Sequence, residues 1–298
     1  MKLISVLLLT LFTFSCLGQS KGDTYRNEGD LEKAINAYKI DFKADQNEYS
    51  NTYNLACAYA LMYQKDSAFH YLNVALQNNN SLWALADNDL LSLTSDDRWK
   101  LIENQQLAKI TLQKPEYARQ LLRLIMKDQA LDYQLDMAKQ YFMKNGKAPH
   151  WYYPIGKMKK EIGHGNFIKM EQLIANNGWP TYSTVGKLAA DGPLLVINHH
   201  PKEEIRIKYL SKIKEACLQQ QGSCMEYAKI QDRILVNTGK PQLYGMQFQY
   251  NEKRELVPFP VKDPEYVDQR RAAIGLVSLQ QYLKRKINYD WKTPQKEK

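Results

Sequence analysis

Two stretches in the first half of the chain repeat one pattern of small and apolar residues. When "YRNEGDLEKAINAYKI" is aligned with "YALMYQKDSAFHYLNVAL", Ala34 falls on Ala68, 34 residues later, and Tyr38 falls on Leu72. The apolar residues recur at helical spacing, and alanine at such positions lets two helices approach each other closely. The pattern therefore predicts stacked helical hairpins in this part of the chain.

A period of this length, with Gly29 and Asp30 at the inner turn, resembles the tetratricopeptide repeat. Two repeats are visible, and the segment "SLWALADNDLLSLTSDDRWKLIENQ" is predicted to complete the stack. Its end would be covered by the apolar residues Trp83, Leu85, Leu90 and Leu91. We predict a repeat domain over residues 20–113. The resemblance implies a scaffold that holds a protein partner, and the open alternative is a short stub that only braces its neighbour.

The first twenty residues, "MKLISVLLLTLFTFSCLGQS", place a lysine before an apolar run that is followed by small residues. This order is typical of a secretory signal peptide, since roughly a dozen apolar residues are fewer than the ~20 that span a bilayer. We predict a signal peptide over residues 1–18, cleavage after Gly18, and an exported protein of the periplasm or outer envelope. Lipid attachment at Cys16 is the less favoured alternative, because no leucine stands three positions upstream.

The composition limits the partners of the chain. Its 298 residues carry a formal net charge of +9, and the basic residues are spread from end to end. A dispersed positive charge does not specify nucleic acid, so we predict no nucleic-acid partner. No stretch after the signal reaches membrane-spanning length. A chain of this size predicts two domains, and the second is assigned to residues 114–290.

The cysteines and the short motifs point to no cofactor and no metal. Cys217 and Cys224 flank "LQQQGS" and could form a disulfide in an oxidising compartment, but two unpaired thiols are equally compatible with their spacing. Cys57, between two alanines, is predicted to be a core residue. We find no zinc-ligand spacing, no glycine-rich phosphate loop, no nucleophile elbow and no metalloprotease helix.

The second half is predicted to be mainly helical. Lys114-Pro115 ends the repeat pattern, and helices are expected near residues 115–142, 157–177, 203–220, 225–236 and 265–285. In "GKPQLYGMQFQY", a Gly-Lys-Pro turn leads into a run that alternates large apolar with polar residues as a half-buried strand does. After the turn "NEKR", "ELVPFPV" would return beside it. The predicted fold class is mainly α, with helical-hairpin repeats followed by an α+β domain that contains a small β-hairpin.

Five segments of the second half together resemble a bacterial family called domain of unknown function 6624. They are "LLRLIMKDQ", "NGWPTYSTVG", "LLVINHHP", "YAKIQDRILVNTGKPQLYGMQ" and "DPEYVDQRRAAIGL". The chain has Asp132 where the family usually has arginine, His200 where it more often has alanine, and Met246 where it often has threonine. The resemblance implies which residues recur, and it implies no activity.

The polar residues of these motifs define a predicted site. His199 follows the apolar run "LLVIN" and is predicted to lie at a strand end, where it could act as a general base. Asp232 is the predicted orienting carboxylate. The predicted ligand-binding residues, for a small polar or anionic ligand, are Arg233, Gln242, Tyr244, Gln247 and Arg271.

Three functions fit this site. The first is a binding or scaffold protein of the envelope that holds the ligand in a pocket. The second is a hydrolase-type enzyme in which His199 is the base, Asp232 orients it, and Arg271 or Gln247 stabilises negative charge. The third is a structural helical module without a ligand. Gly245 leaves a gap beside Gln247 that backbone or a ligand could approach closely, and a solvated strand face is the open alternative for Gln247.

Overall fold

A computed structural model describes residues 20–296, so the predicted signal peptide and Cys16 lie outside the described residues. The chain divides into two compact units, with the division between Asn79 and Asn80. Residues 80–113, which the sequence analysis placed in the repeat domain, belong to the second of these units.

The first unit consists of four helices joined by short turns. They are α1 (Lys21–Asn27), α2 (Leu31–Ala44), α3 (Tyr49–Leu61) and α4 (Lys65–Leu76). Each helix packs on the next along the chain. The four residues matched by the 34-residue offset, Ala34, Tyr38, Ala68 and Leu72, are all fully buried. The two copies of the pattern therefore occupy equivalent environments.

The second unit is larger and is also mainly helical. Two 3-10 segments, Trp83–Leu85 and Asn88–Ser95, precede its helices. The helices are α5 (Asp97–Ala108), α6 (Pro115–Asp128), α7 (Asp132–Asn145), α8 (Tyr152–Asn177), α9 (Tyr182–Val185), α10 (Lys187–Ala190), α11 (Gly192–His199), α12 (Glu203–Leu218) and α13 (Cys224–Asn237). After the two strands come a 3-10 turn (Pro264–Tyr266), α14 (Val267–Ala272) and α15 (Leu279–Ile287).

Helix α6 is the centre of this unit because it packs against α5, α8, α9, α10 and α11. Its sequence explains that position. Pro115 opens the helix, where a missing N–H costs nothing, and most of the following residues are apolar. Leu121, Leu122 and Ile125 are almost completely buried. Asp128, the last residue of α6, is also buried, at 3 % exposure.

The small β-hairpin predicted from the sequence is confirmed. Strands β1 (Phe248–Tyr250) and β2 (Leu256–Pro258) pair antiparallel, with Gln249 opposite Val257. Residues 239–247 form an irregular loop. A turn was expected at its start, but residues 243–247 were expected to continue the first strand. Gly245 adopts a φ value of 77° in this loop, and such a left-handed conformation interrupts an extended strand.

Two other local predictions need correction. The run "LLVIN" forms helix α11 rather than a strand, so His199 lies at a helix C-terminus. The helix predicted over residues 265–285 is interrupted: α14 ends at Ala272, Gly275 turns the chain with φ 73°, and Ser278 caps α15. Cys217 and Cys224 form a disulfide that joins the end of α12 to the start of α13. None of the helices within residues 20–296 combines the length and apolar character needed to cross a bilayer.

Candidate functional site

Helices α6 and α11 lie side by side and end at the same place. Gly192, the first residue of α11, is so close to α6 that a methyl group there would lie 3.0 Å from the carbonyl oxygen of Leu121. Seven residues further along each helix, His199 meets Asp128. Seven residues are about two turns of an α-helix. Because the two helices are in close contact at Gly192 and continue for the same length, the histidine and the carboxylate come together at their ends.

The contact between these two side chains is short. His199 Nδ1 lies 2.6 Å from Asp128 Oδ2. The Asp128 side chain is 3 % exposed, whereas that of His199 is 42 % exposed. No described residue forms a hydrogen bond with His199 Nε2. The pair therefore combines a buried carboxylate, which fixes the ring, with a second ring nitrogen that is free to react.

Lys159 of α8 holds the end of α6 behind this pair. Its ammonium donates to the carbonyl oxygens of Asp128 and, at 3.2 Å, Ala130, and it forms an ion pair with Asp132 Oδ1 at 2.5 Å. Leu131, between them, has φ 70°. The carbonyl groups at the end of a helix lack intrahelical partners and carry partial negative charge, so a cation stabilises them. This arrangement fixes the main chain on the far side of Asp128.

The C-terminus of α11 is held by two arginines in the same way. The carbonyl oxygen of Asn198 accepts hydrogen bonds from Arg206 Nε (3.1 Å), Arg206 Nη2 (2.9 Å) and Arg233 Nη1 (2.7 Å). Burial and the nearby Arg206 charge lower the pKa of Arg233. Arg233 therefore positions the residue before His199, and its guanidinium is already engaged with the main chain.

Asp232 has a different role from the predicted one. Its carboxylate is fully buried and accepts N–H bonds from Leu243 (2.7 Å), Tyr244 (3.1 Å) and Met246 (3.0 Å). Burial raises the pKa of Asp232 to about 6, although these N–H donors favour the charged form. The carboxylate beside His199 is Asp128, because α11 ends against α6, and Asp232 instead shapes the loop before β1.

The other predicted ligand-binding residues meet in that loop, where they bind main-chain groups. Gln242 accepts from Gln247 N (2.8 Å) and donates to Phe259 O (2.8 Å), while Gln247 Nε2 donates to Lys229 O (2.9 Å). Tyr244 is nearly buried. These amide side chains therefore act first as internal supports of the loop.

Arg271 also stabilises this loop. It is 1 % exposed, donates to the carbonyl oxygens of Tyr244 and Val277, and lies 4.9 Å from the centre of the Tyr282 ring. The predicted gap at Gly245 is filled, since a methyl group there would lie 2.4 Å from Leu279 Cδ1. These residues from distant segments therefore meet at one loop, where their hydrogen-bond partners are main-chain groups.

Asp128 is the residue of the site that the sequence analysis did not select. A signal for it existed. "LLRLIMKDQ" and "LLVINHHP" are both apolar runs that end in polar residues, and two such helices packed in parallel place those polar ends together. A strand at the second run, as its sequence predicts, would not align with α6 in this way.

Fold and site together define a mainly helical domain with a buried carboxylate that orients a partly exposed histidine at the paired ends of two helices. The sequence model of the Family of unknown function (DUF6624) matches residues 115–292, and the chain belongs to this family. The match includes the candidate site and the hairpin. No protein of curated function and no solved structure matches the chain significantly.

Proposed function

We propose that the domain over residues 115–292 is a hydrolase-type enzyme in which His199 transfers a proton. The observation that carries the proposal is the 2.6 Å contact between His199 Nδ1 and the buried Asp128 carboxylate, together with the free Nε2. A histidine that only ties two helices together has no need of a partly exposed ring with an unengaged nitrogen.

The chemistry follows from the two ring nitrogens. When Nδ1 donates its proton to Asp128, the lone pair of the neutral imidazole is on Nε2. Nε2 can then accept a proton from water while the water oxygen attacks an electrophilic carbonyl or phosphorus atom of the substrate. The resulting imidazolium is stabilised by the Asp128 charge, and it returns its proton to the leaving group.

Asp128 acts in this scheme as a positioning residue. Lys159 and the Arg206–Arg233 pair fix the main chain at the ends of α6 and α11, which keeps the carboxylate and the ring in register. The loop around Asp232, Gln242 and Arg271 has a structural role in this scheme, because those side chains form hydrogen bonds with main-chain groups.

Hydrolysis of a panel of chromogenic carboxylic esters and phosphoesters tests the proposal. We expect His199→Gln to lower the rate by roughly 10²–10⁴-fold, as expected for loss of a general base, and Asp128→Asn to lower kcat more than it raises KM. His200→Gln is the matched control, because the His200 ring accepts from Lys202 N and packs on Phe167. Equal rates in the wild type and His199→Gln across the panel would remove the proposed base.

A spectroscopic measurement separates orientation from a purely structural contact. In ¹⁵N NMR of the neutral imidazole, His199 should carry its proton on Nδ1 in the wild type. In Asp128→Ala it should shift toward the Nε2–H form that is usual for an unconstrained ring, with the melting temperature recorded in parallel. An unchanged tautomer would show that Asp128 does not set the state of the ring.

We also propose that the protein is exported to the periplasm or outer envelope and that its first four helices form a tetratricopeptide-like scaffold. The signal-like pattern of residues 1–18 and the Cys217–Cys224 disulfide support export, because such bonds persist in oxidising compartments. The equivalent burial of Ala34 and Ala68 supports the repeat. Cell fractionation of the full-length protein tests export, and recovery in the cytoplasmic fraction alone would oppose it.

A further inference from the structure

A groove between α6 and α8 lies outside the site described above. Its volume is about 660 Å³, within the range of roughly 300–1,000 Å³ that is typical of small-molecule sites. Leu91, Leu124 and Ile162 provide apolar walls. Neither His199 nor Asp128 lines it. We call it the α6–α8 groove.

Two lysines at this groove have no ion-pair partner within the described part of the chain. Lys127 of α6 and Lys169 of α8 both line it, and neither ammonium forms a hydrogen bond or an ion pair with a described residue. The nearby Arg123 differs from them, since its guanidinium is paired with Glu103 at 2.5 Å. Positive charge from two different helices therefore faces one cleft without compensation from the described residues.

The carboxylate that lines the groove does not supply that compensation. Glu116 stands one helical turn before Gln120 on α6, and its Oε2 lies 3.4 Å from Arg119 Nε. Its charge is balanced by that arginine. The ligand that would complement the groove is consequently an anion.

Asn166 adds a specific polar group to the groove. The residue is 4 % exposed, and its Nδ2 donates to the carbonyl oxygen of Leu124 at 3.4 Å. Its Oδ1 forms no hydrogen bond with a described residue. This amide oxygen is therefore available to accept a hydrogen bond from a hydroxyl or amide donor of a ligand.

Gly165 keeps the groove open. A glycine inside a helix costs about 1 kcal/mol relative to alanine, and Gly165 lies in the middle of α8. A methyl group at this position would meet nothing within 4 Å. Packing therefore does not require the glycine, whereas any larger side chain would occupy the groove.

We propose that the α6–α8 groove binds a small organic anion. Its carboxylate or phosphate group would be held by Lys127 and Lys169, and its apolar body would lie against Leu91 and Ile162. Asn166 would accept a hydrogen bond from a donor group of the ligand. The site is independent of proton transfer at His199.

Isothermal titration calorimetry with octanoate and octyl phosphate tests the proposal, and octanol serves as the uncharged control. Both anions should bind the wild type, whereas octanol should bind at least roughly tenfold more weakly, equivalent to the loss of ~1.4 kcal/mol. The tighter of the two anions identifies the preferred head group. The double variant Lys127→Gln/Lys169→Gln should lose this preference for anions over octanol.

Gly165→Leu is the decisive variant, and Gly163→Leu is its matched control. Both glycines lie in α8 with open space around them, but only Gly165 lines the groove. Gly165→Leu should weaken anion binding by roughly tenfold or more while the melting temperature does not fall, since a helical glycine is removed. Gly163→Leu should bind as the wild type does.

Three results would overturn the proposal: octanol binding as tightly as the anions, equal binding by Gly165→Leu and Gly163→Leu, or no binding of either anion. His199→Gln should retain full anion binding. The binding proposal and the enzyme proposal are therefore tested independently, since either can be wrong while the other is right.

Discussion

Asp232 and Arg271 bind the N–H and the carbonyl group of one residue, Tyr244. The Asp232 carboxylate accepts the N–H of Tyr244 at 3.1 Å, and the Arg271 guanidinium donates to the carbonyl oxygen of the same tyrosine. Both charged side chains are almost completely buried. The loop before the hairpin is thus built around a charged pair that acts through the main chain, which explains why an irregular segment can be buried without losing its hydrogen bonds.

Removal of the Asp232 carboxylate should unfold this loop. Asp232→Ala leaves the N–H groups of Leu243, Tyr244 and Met246 without their acceptor, and it removes one of the negative charges that act on the buried Arg271. We expect the free energy of unfolding to fall by about 3–5 kcal/mol in urea denaturation. Glu252→Ala, an exposed carboxylate in the hairpin turn, should change it by less than about 0.5 kcal/mol. Similar losses in the two variants would contradict this role.

Gly245 and Gly239 provide a second matched comparison within the loop. Both have a positive φ, but a methyl group at Gly245 would lie 2.4 Å from Leu279 Cδ1, whereas one at Gly239 would meet nothing. Gly239→Ala should cost about 1–2 kcal/mol of backbone strain, and Gly245→Ala should cost a further ~1–3 kcal/mol from overpacking. Urea denaturation measures both. Addition of Leu279→Ala should remove the extra cost of Gly245→Ala, and additive losses would show that the contact is unimportant.

Much of the architecture could be predicted from local patterns. The 34-residue offset matched residues that are all fully buried, and the "NEKR" turn between two apolar runs predicted the hairpin. The run "LLVIN" is a helix and not the expected strand, because so short an apolar run shows no period that separates a buried strand from a buried helix. Local apolar patterns likewise do not show where the helix predicted over residues 265–285 is interrupted.

The candidate site was harder to predict because it depends on distances between segments. His199 was selected from its own sequence context, but its partner Asp128 precedes it by 71 residues. The two meet at the paired ends of α6 and α11, which also lie close together at Leu121 and Gly192. Arg271 and Gln242 carry the chemistry of a ligand site, and nothing in a single sequence indicates that main-chain groups already occupy them.

Asp191 should make the stability of the domain depend on pH. It lies between α10 and α11, and its buried Oδ1 has no hydrogen-bond partner among residues 20–296. Burial, followed by the Glu226 charge, raises its pKa from 3.8 to about 7. The folded state therefore favours the neutral acid, so the contribution of Asp191 to stability is complete below pH 3.8 and is lost as the pH rises through about 7.

Asp191→Asn tests that sign. Relative to the wild type, the variant should gain stability as the pH rises from about 4 to 8, by as much as ~4 kcal/mol. Glu226→Gln should weaken the pH dependence of the wild type, because it removes the second cause of the raised pKa. The measurement is the free energy of unfolding in urea at a series of pH values. A constant difference between Asp191→Asn and the wild type would contradict the assignment.

The disulfide between Cys217 and Cys224 should stabilise the turn from α12 to α13. The bond closes a short loop with a sequence separation of 7 residues. Within the loop, a methyl group at Gly222 would lie 2.9 Å from Ala216 Cβ, so the turn is already tight. Closure of so short a loop restricts the unfolded chain, and Cys217→Ala/Cys224→Ala should lower the free energy of unfolding by about 2–3 kcal/mol. A reducing agent should destabilise the wild type by a similar amount and leave the double variant unaffected. A reducing agent that destabilises both proteins equally would show that the effect does not come from this bond.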